Sequence, residues 1–284
     1  MLRKINFICI VTLLCVQFAT AQNLKLMTYN IRLDLPSDKE NDWNHRKDFS
    51  SSQIRFYAPD IFGVQEALPN QINDLENSLP EYGHVGIGRD GEGKGEASAI
   101  FYIRSRFKVA NERTFWLSET PNQVSKGWDA SYVRICTFAL LKDRKTKQTF
   151  WVFNTHLDNN GAVARAKGVE MILAKIREVN TKNYPVILMG DFNSEPDSAL
   201  LINLRRVMTD SREASEAKPF GPSGSFNGFK FNEPVTRLID YVFVDNSKRI
   251  AVKKYAVLSD SINLRYPSDH LPVFVELEIS GKEK

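Results

Sequence analysis

The sequence predicts an α/β protein built from two sheets packed face to face, with helices on their outer surfaces. Strand-type segments outnumber helical ones, and the helices are few and widely spaced, a pattern that two packed sheets accommodate. The alternation runs along the chain without a low-complexity linker or a fixed-period repeat. The 284 residues are 42% hydrophobic and 25% charged, an ordinary globular balance that supports a substantial core without covalent staples. That composition excludes disordered, collagen-like and coiled-coil chains.

Each element carries its own local signal. Residues 23–30 read as the first strand. Residues 43–57 read as a helix that stops at Ala58-Pro59, because a residue before proline avoids helical geometry. A short apolar strand follows at 60–65, and a helix at 68–79 sets Ile72, Leu75 and Leu79 on one face. Residues 98–104, 132–141 and 149–155 are strands rich in β-branched and aromatic residues. Residues 162–179 carry Val163, Ala166, Val169, Ile172, Leu173 and Ile176, a helical apolar stripe. A buried strand at 185–189, a short helix at 198–206, and strands at 238–244 and 272–279 complete the pattern. The segments 83–95 and 211–231 read as long loops, which in compact domains are often functional. The run GRDGEGKG at 88–95 lacks the Gly-Lys-Ser/Thr of a phosphate-binding P-loop.

The N-terminus reads as an export signal. Arg3 and Lys4 precede an apolar stretch from Ile5 to Phe18, and Ala19-Thr20-Ala21 offers the small residues a signal peptidase reads. The stretch is shorter than the roughly 20 apolar residues of a spanning helix. Cleavage leaves one domain over 22–284, lowers the formal charge from +4 to +2, and leaves Cys136 as the one cysteine. Cys136 lies in an apolar segment and reads as a buried structural thiol. No long apolar run recurs, so the expected product is a soluble periplasmic or secreted protein without a membrane span. A charge of +2 does not announce a dedicated nucleic-acid binder.

The candidates for chemistry sit where strands begin or end. Asn30 closes LMTYN and Glu66 closes IFGVQE. His156 and Asp158 close WVFNTHLD, and Asp191 and Asn193 close VILMGDFN. Asp240 opens IDYVFV, and Asp269 and His270 precede LPVFVEL. Strand ends from distant parts of a sequence converge at one mouth of a sheet stack, and this mixture of histidines, carboxylates and amides suggests metal-assisted hydrolysis. Glu66, Asn30 and Asp269 form a hard-oxygen set suited to Mg²⁺, which polarises phosphoryl oxygens and steadies a departing oxyanion. The attacking water also needs a base, for which His270 and Asp191 are both candidates; His270 paired with Asp240 has the form of a hydrolase dyad. His156 and Asn193 are then placed to donate hydrogen bonds to phosphoryl oxygens.

These residues resemble the endonuclease/exonuclease/phosphatase superfamily, the deoxyribonuclease I-like fold. The likeness runs in order through MTYNIR (27–32), GVQE (63–66), NTHLD (154–158), GDFN (190–193), IDYVF (239–243) and SDHLPV (268–273). It implies a four-layer α/β/β/α sandwich and a Mg²⁺- or Mn²⁺-dependent phosphoesterase. By motif it implies metal-site roles for Asn30 and Glu66 and a phosphate-contacting, acid-side role for His156. Asp191 and Asn193 would orient nucleophile and phosphate, Asp240 would orient His270 as general base, and Asp269 would lie on the metal or phosphate side. The segments 42–48, 88–96, 115–121 and 127–135 further resemble a bacterial subgroup near exported, mycoplasma-type membrane nucleases. The residues after GDFN, Ser194-Glu195-Pro196, depart from the inositol-polyphosphate 5-phosphatase pattern. Ser118 and Glu119 stand where deoxyribonuclease I has an arginine.

For substrate, Trp116, Trp128 and Tyr132 either stack on a base or sugar or pack in the core. Arg89, Arg134 and Arg165 either bind phosphate oxygens or serve in salt bridges, and Arg165 lies at a helix start that favours anions. Asp158 is a further candidate contact, and Glu96 either approaches the metal or stands alone in its loop. Trp43 with Arg46 is expected to pack the 43–57 helix onto a sheet. The first functional expectation is an exported phosphodiesterase, a nuclease on DNA or RNA. The alternatives are a phosphomonoesterase or a hydrolase of lipid or sugar-phosphate headgroups and, more remotely, a non-catalytic scaffold. The sequence implies no protein partner.

Overall fold

The computed structural model describes residues 22–280; the expected signal segment, 1–21, lies outside the described residues. One sheet contains β1 (Gln22–Asn30), β2 (Ile61–Gln65), β3 (Tyr82–Val85), β4 (Ile100–Ile103), β11 (Ile250–Val257) and β12 (Val273–Ile279), in the order β11-β12-β1-β2-β4-β3. The other contains β5 (Phe107–Trp116), β6 (Ile135–Asp143), β7 (Thr149–His156), β8 (Val186–Asp191), β9 (Met208–Asp210) and β10 (Asp240–Asp245), in the order β5-β6-β7-β8-β10-β9. Helices α1 (Trp43–Tyr57) and α2 (Pro69–Ser78) cover the first sheet, and α3 (Ala162–Val179) and α4 (Ala199–Leu204) the second; α5 (Ser211–Ala214) is a single turn.

Three apolar layers separate these four. The middle one joins Leu24, Leu26 and Ile61 to Phe150, Val152, Ile187, Met189 and Val242 across the two sheets. Tyr29, Phe62, Trp43, Ile54 and Leu75 fill the space under α1 and α2, and Phe138, Trp151, Phe153, Val169 and Ile172 that under α3. The fold is therefore the expected four-layer α/β/β/α sandwich. Strand residues alternate between faces, so Leu24, Leu26, Thr28 and Asn30 share the inner face of β1, and Phe150, Val152, Asn154 and His156 that of β7. By the same parity Asp191 and Asp240 face the seam between the sheets. Close packing at this seam requires Gly63: a Cβ there would lie 2.7 Å from both Asn154 and Met189 side chains.

Two parallel pairs direct the chain to one edge. β1 and β2 run parallel with α1 between them, and β7 and β8 run parallel with α3 between them. Ligand sites in such arrangements form beyond the carboxyl ends of parallel strands. The expected helices at 43–57 and 162–179 coincide with α1 and α3. The expected strand at 132–141 begins later, at Ile135, and the expected loop at 83–95 begins only after β3. The expected loop from 211 opens with α5, because the Asp210 carboxylate accepts from Arg212 N and starts a helical turn. Strands β5, β9 and β11 complete the sheets; β11 is irregular between Val252 and Lys254, and β5 between Val109 and Asn111.

Candidate active site

Register brings the polar strand ends together. His156 pairs with Asp191 across β7 and β8, and Asp191 pairs with Asp240 across β8 and β10. Gly190 permits this approach with φ 145°, since a Cβ there would strike the Thr155 carbonyl. From the other sheet come Asn30 and, in the left-handed region at φ 62°, Glu66. Asp269 and His270 enter on the segment before β12.

These groups line a pocket of about 700 Å³. Glu66, His156, Asp191, Asn193, Asp269 and His270 all reach its wall, together with Arg89 and Arg134. Asn30 lies beneath the wall, fully buried, and ties two carboxylates together: its Nδ2 donates to Glu66 Oε1 and to Asp191 Oδ2, both at 3.1 Å. Its Oδ1 accepts from Arg32 N at 3.0 Å. Glu66 Oε2 accepts from Leu33 N at 3.1 Å.

The two histidines are held by opposite chemistry. His270 Nδ1 lies 2.8 Å from Asp240 Oδ2, which also accepts from Ser225 Oγ at 2.6 Å. Burial works to lower the His270 pKa, but Asp240, Asp191 and Asp269 outweigh it and carry it up to about 10. His156 Nδ1 instead lies 2.9 Å from Arg134 Nη1. Burial, the Arg134 charge and His270 together hold the His156 pKa well below the usual imidazole value. Asp191 stands between them, its Oδ2 3.4 Å from His156 Nε2 and 3.9 Å from His270 Nε2. Burial and the neighbouring Asp240 push Asp191 up to about 7.

The donor set fits a divalent cation. Asp269 is raised by burial and by the neighbouring, half-buried Glu66, and a positive charge between the two carboxylates would relieve both. Asp191, Asp240 and His270 also cluster within metal-binding range. Asp240 Oδ2, however, is engaged by His270 and Ser225 and Asp240 does not line the pocket, whereas Glu66 and Asp269 do, which makes those two the accessible hard-oxygen ligands.

Several expected substrate contacts lie elsewhere. Asp158 is a loop organiser: its carboxylate accepts from the backbone N–H groups of Ser131, Tyr132, Asn160 and Gly161, and it does not line the pocket. Arg165 donates to Asp158 O at 2.9 Å, and the start of α3 is capped by Asp129, which accepts from Val163 N and Ala164 N. That helix end is therefore not free for an anion. Trp116 is buried and donates from Nε1 to Arg89 O at 2.7 Å, and Trp128 does not line the pocket. Arg89 lines it but is paired bidentately with Glu96, so Glu96 is not a lone loop carboxylate. Cys136 is buried, as expected. Trp43 is buried beneath α1, and Arg46 spans the carbonyls of Ile31, Arg32, Asn41 and Pro267.

The sequence reading missed Ser225, Phe226, Arg32 and Arg237. Ser225 supports Asp240, and the Phe226 ring packs edge-on against His270 with centroids 5.0 Å apart. Arg32 was visible beside Asn30 in MTYNIR; Ser225 and Phe226 sit in a long loop without a local signal.

The model of the endonuclease/exonuclease/phosphatase family matches residues 27–270, and the chain belongs to that family. A family member from Bacteroides thetaiotaomicron is 36% identical, with a TM-score of 0.87 over 93% of this chain and all of that one. A mannosyl-6-phosphatase of the same species is 37% identical, with a TM-score of 0.85 over 89% of this chain and 99% of that one. A probable RNA exonuclease of Saccharomyces cerevisiae is 26% identical over 62% of this chain, which spans only 38% of the yeast protein. The chain is a hydrolase of phosphate esters, as members of this family are.

Proposed function

We propose that this family member is a divalent-metal-dependent phosphoesterase whose preferred substrate is a small phosphate monoester of the sugar-phosphate type. The observation that carries the reading is the half-open pocket of about 700 Å³, onto which Glu66, His156, Asp191, Asn193, Asp269 and His270 all open. That volume suits a small ligand. Most of the positive charge at the pocket is engaged: Arg32 faces Asp38, Arg89 faces Glu96 and Arg134 faces Asp158, while the half-exposed Arg237 lies 3.9 Å from Glu195. A polyanion backbone draws on many free cationic contacts. The likeness to a mannosyl-6-phosphatase over nearly the whole chain supports the same reading.

In this reading Glu66 and Asp269 hold the cation, and Asn30 orients Glu66. A Mg²⁺ or Mn²⁺ held there would polarise the phosphoryl oxygens, and its positive charge would counter the carboxylates that raise His270. His270, oriented by Asp240, takes the proton of the attacking water at Nε2. Asp191 and Asn193 align that water and the phosphoryl group. His156 donates to a phosphoryl oxygen as charge builds in the transition state. The N-terminal signal supports an exported protein.

A nuclease is the second reading, supported by the likeness to a probable RNA exonuclease. The first test offers a chromogenic monoester and a chromogenic diester with Mg²⁺ or Mn²⁺. Metal-dependent cleavage favouring the monoester is expected; cleavage of the diester alone would overturn the monoester assignment.

A further inference from the structure

The two nitrogens of His156 meet partners of unequal freedom. Arg134 Nη1 lies 2.9 Å from Nδ1, and a guanidinium has donors but no lone pair. A contact at that distance is attractive only if Nδ1 presents its lone pair. On the other side, Asn193 Nδ2 lies 3.1 Å from Nε2 and already donates to Leu157 O at 3.0 Å. Asp191 Oδ2 lies 3.4 Å from the same Nε2 and can accept. A proton on Nε2 can turn to Asp191 Oδ2 while Asn193 keeps its bond to Leu157 O, whereas the guanidinium cannot accept one on Nδ1.

Arg134 is itself held in place. It is buried, its Nε lies 3.5 Å from Asp158 Oδ2, and its guanidinium sits 5.4 Å from the Tyr132 ring centroid. Asp158 is in turn fixed by four backbone N–H donors at 2.7–3.1 Å. The charged groups around the imidazole are Arg134, Arg89, Asp158, Asp191 and His270. A second proton on the ring would press an N–H against a buried guanidinium N–H.

We propose that Arg134 is a positioning residue that locks His156 as the Nε2–H tautomer, so that His156 serves as a fixed hydrogen-bond donor and not as a proton-transferring acid. Asp158 then has a purpose in the site although it does not reach the pocket: it anchors the guanidinium that orients the histidine. The donor role rests on the phosphoesterase reading above; the tautomer does not.

The test is long-range proton–nitrogen NMR of the full chain labelled with ¹⁵N-histidine, at neutral pH, with His156→Gln used to assign the ring. The expected spectrum shows a lone-pair Nδ1 and a protonated Nε2 for His156. Arg134→Lys, which keeps a cationic donor, preserves the pattern, and Arg134→Met loses it. A protonated Nδ1 in the wild-type chain overturns the proposal, and the wild-type spectrum decides even if a variant fails to fold. In kinetics Arg134→Met lowers kcat about 100-fold with little change in KM, the scale of a misplaced catalytic group, and Arg134→Lys recovers most of it. A normal kcat in Arg134→Met with the tautomer lost would remove the donor role while leaving the phosphoesterase standing. An inactive wild-type chain with the tautomer intact would remove the phosphoesterase instead.

Discussion

The two histidine walls of the pocket are built from the same parts and do opposite things. On one side, Asp240 takes a hydrogen bond from His270 Nδ1 and leaves Nε2 to receive a proton. On the other, Arg134 Nη1 lies 2.9 Å from His156 Nδ1, and the proposed tautomer leaves Nε2 to donate a hydrogen bond. Both rings are buried and both turn Nε2 toward Asp191. In the proposed mechanism the partner behind each ring, a carboxylate or a guanidinium, is what separates base from donor. A histidine's role is thus written one residue away from it.

Substitutions sharpen this contrast. The largest effect is expected from His270→Ala, which removes the base and lowers kcat about 10²–10⁴-fold. His270→Gln should do no better, because an amide has no basic nitrogen. His156→Ala is expected to cost about 10²–10³-fold, the range for losing one transition-state donor. Here His156→Gln should recover much of the loss, because the amide N–H still donates. Equal behaviour of the two glutamine variants in steady-state kinetics would erase the distinction.

The cation site offers a smaller, activity-independent effect. Mn²⁺ at about one hundred times its Kd should stabilise the chain by about 2.7 kcal/mol in thermal unfolding. Glu66→Gln should remove most of that gain, whereas His156→Gln should leave it intact. A gain unchanged in Glu66→Gln would place the cation elsewhere. The smallest effect is expected at Trp116→Phe, which removes the bond to Arg89 O. Its cost in stability is about 1 kcal/mol, and KM should rise more than kcat falls; an unchanged KM would separate the Arg89 loop from substrate binding.

The layer order and the clustering of the candidate residues were legible because both follow from strand periodicity and strand ends. Asn30, His156, Asp191 and Asp240 each continue an inward-facing row, so parity alone turns them to the seam. Helices α1 and α3 announced themselves by a proline stop and an apolar stripe. What stayed hidden depends on contacts between distant segments. Ser225 matters only because its loop returns to Asp240, and Asp129 matters only because it caps α3 from another loop. Composition left Trp116 and Trp128 open between stacking and core packing; Trp116 packs in the core and neither lines the pocket. The edge strands β5 and β11 mix charged with apolar residues and carry irregular registers, which blurs the period-two signal.

The most direct test of the central claim is a competition among natural ester classes. The chain would be given a hexose 6-phosphate, supercoiled plasmid and single-stranded RNA, each with Mg²⁺ or Mn²⁺, beside His270→Ala. A sugar-phosphate monoesterase gives metal-dependent release of inorganic phosphate from the hexose 6-phosphate, lost in His270→Ala, with plasmid and RNA left intact, and that is the expected result. Nicked plasmid or shortened RNA, with the sugar phosphate untouched, would contradict it.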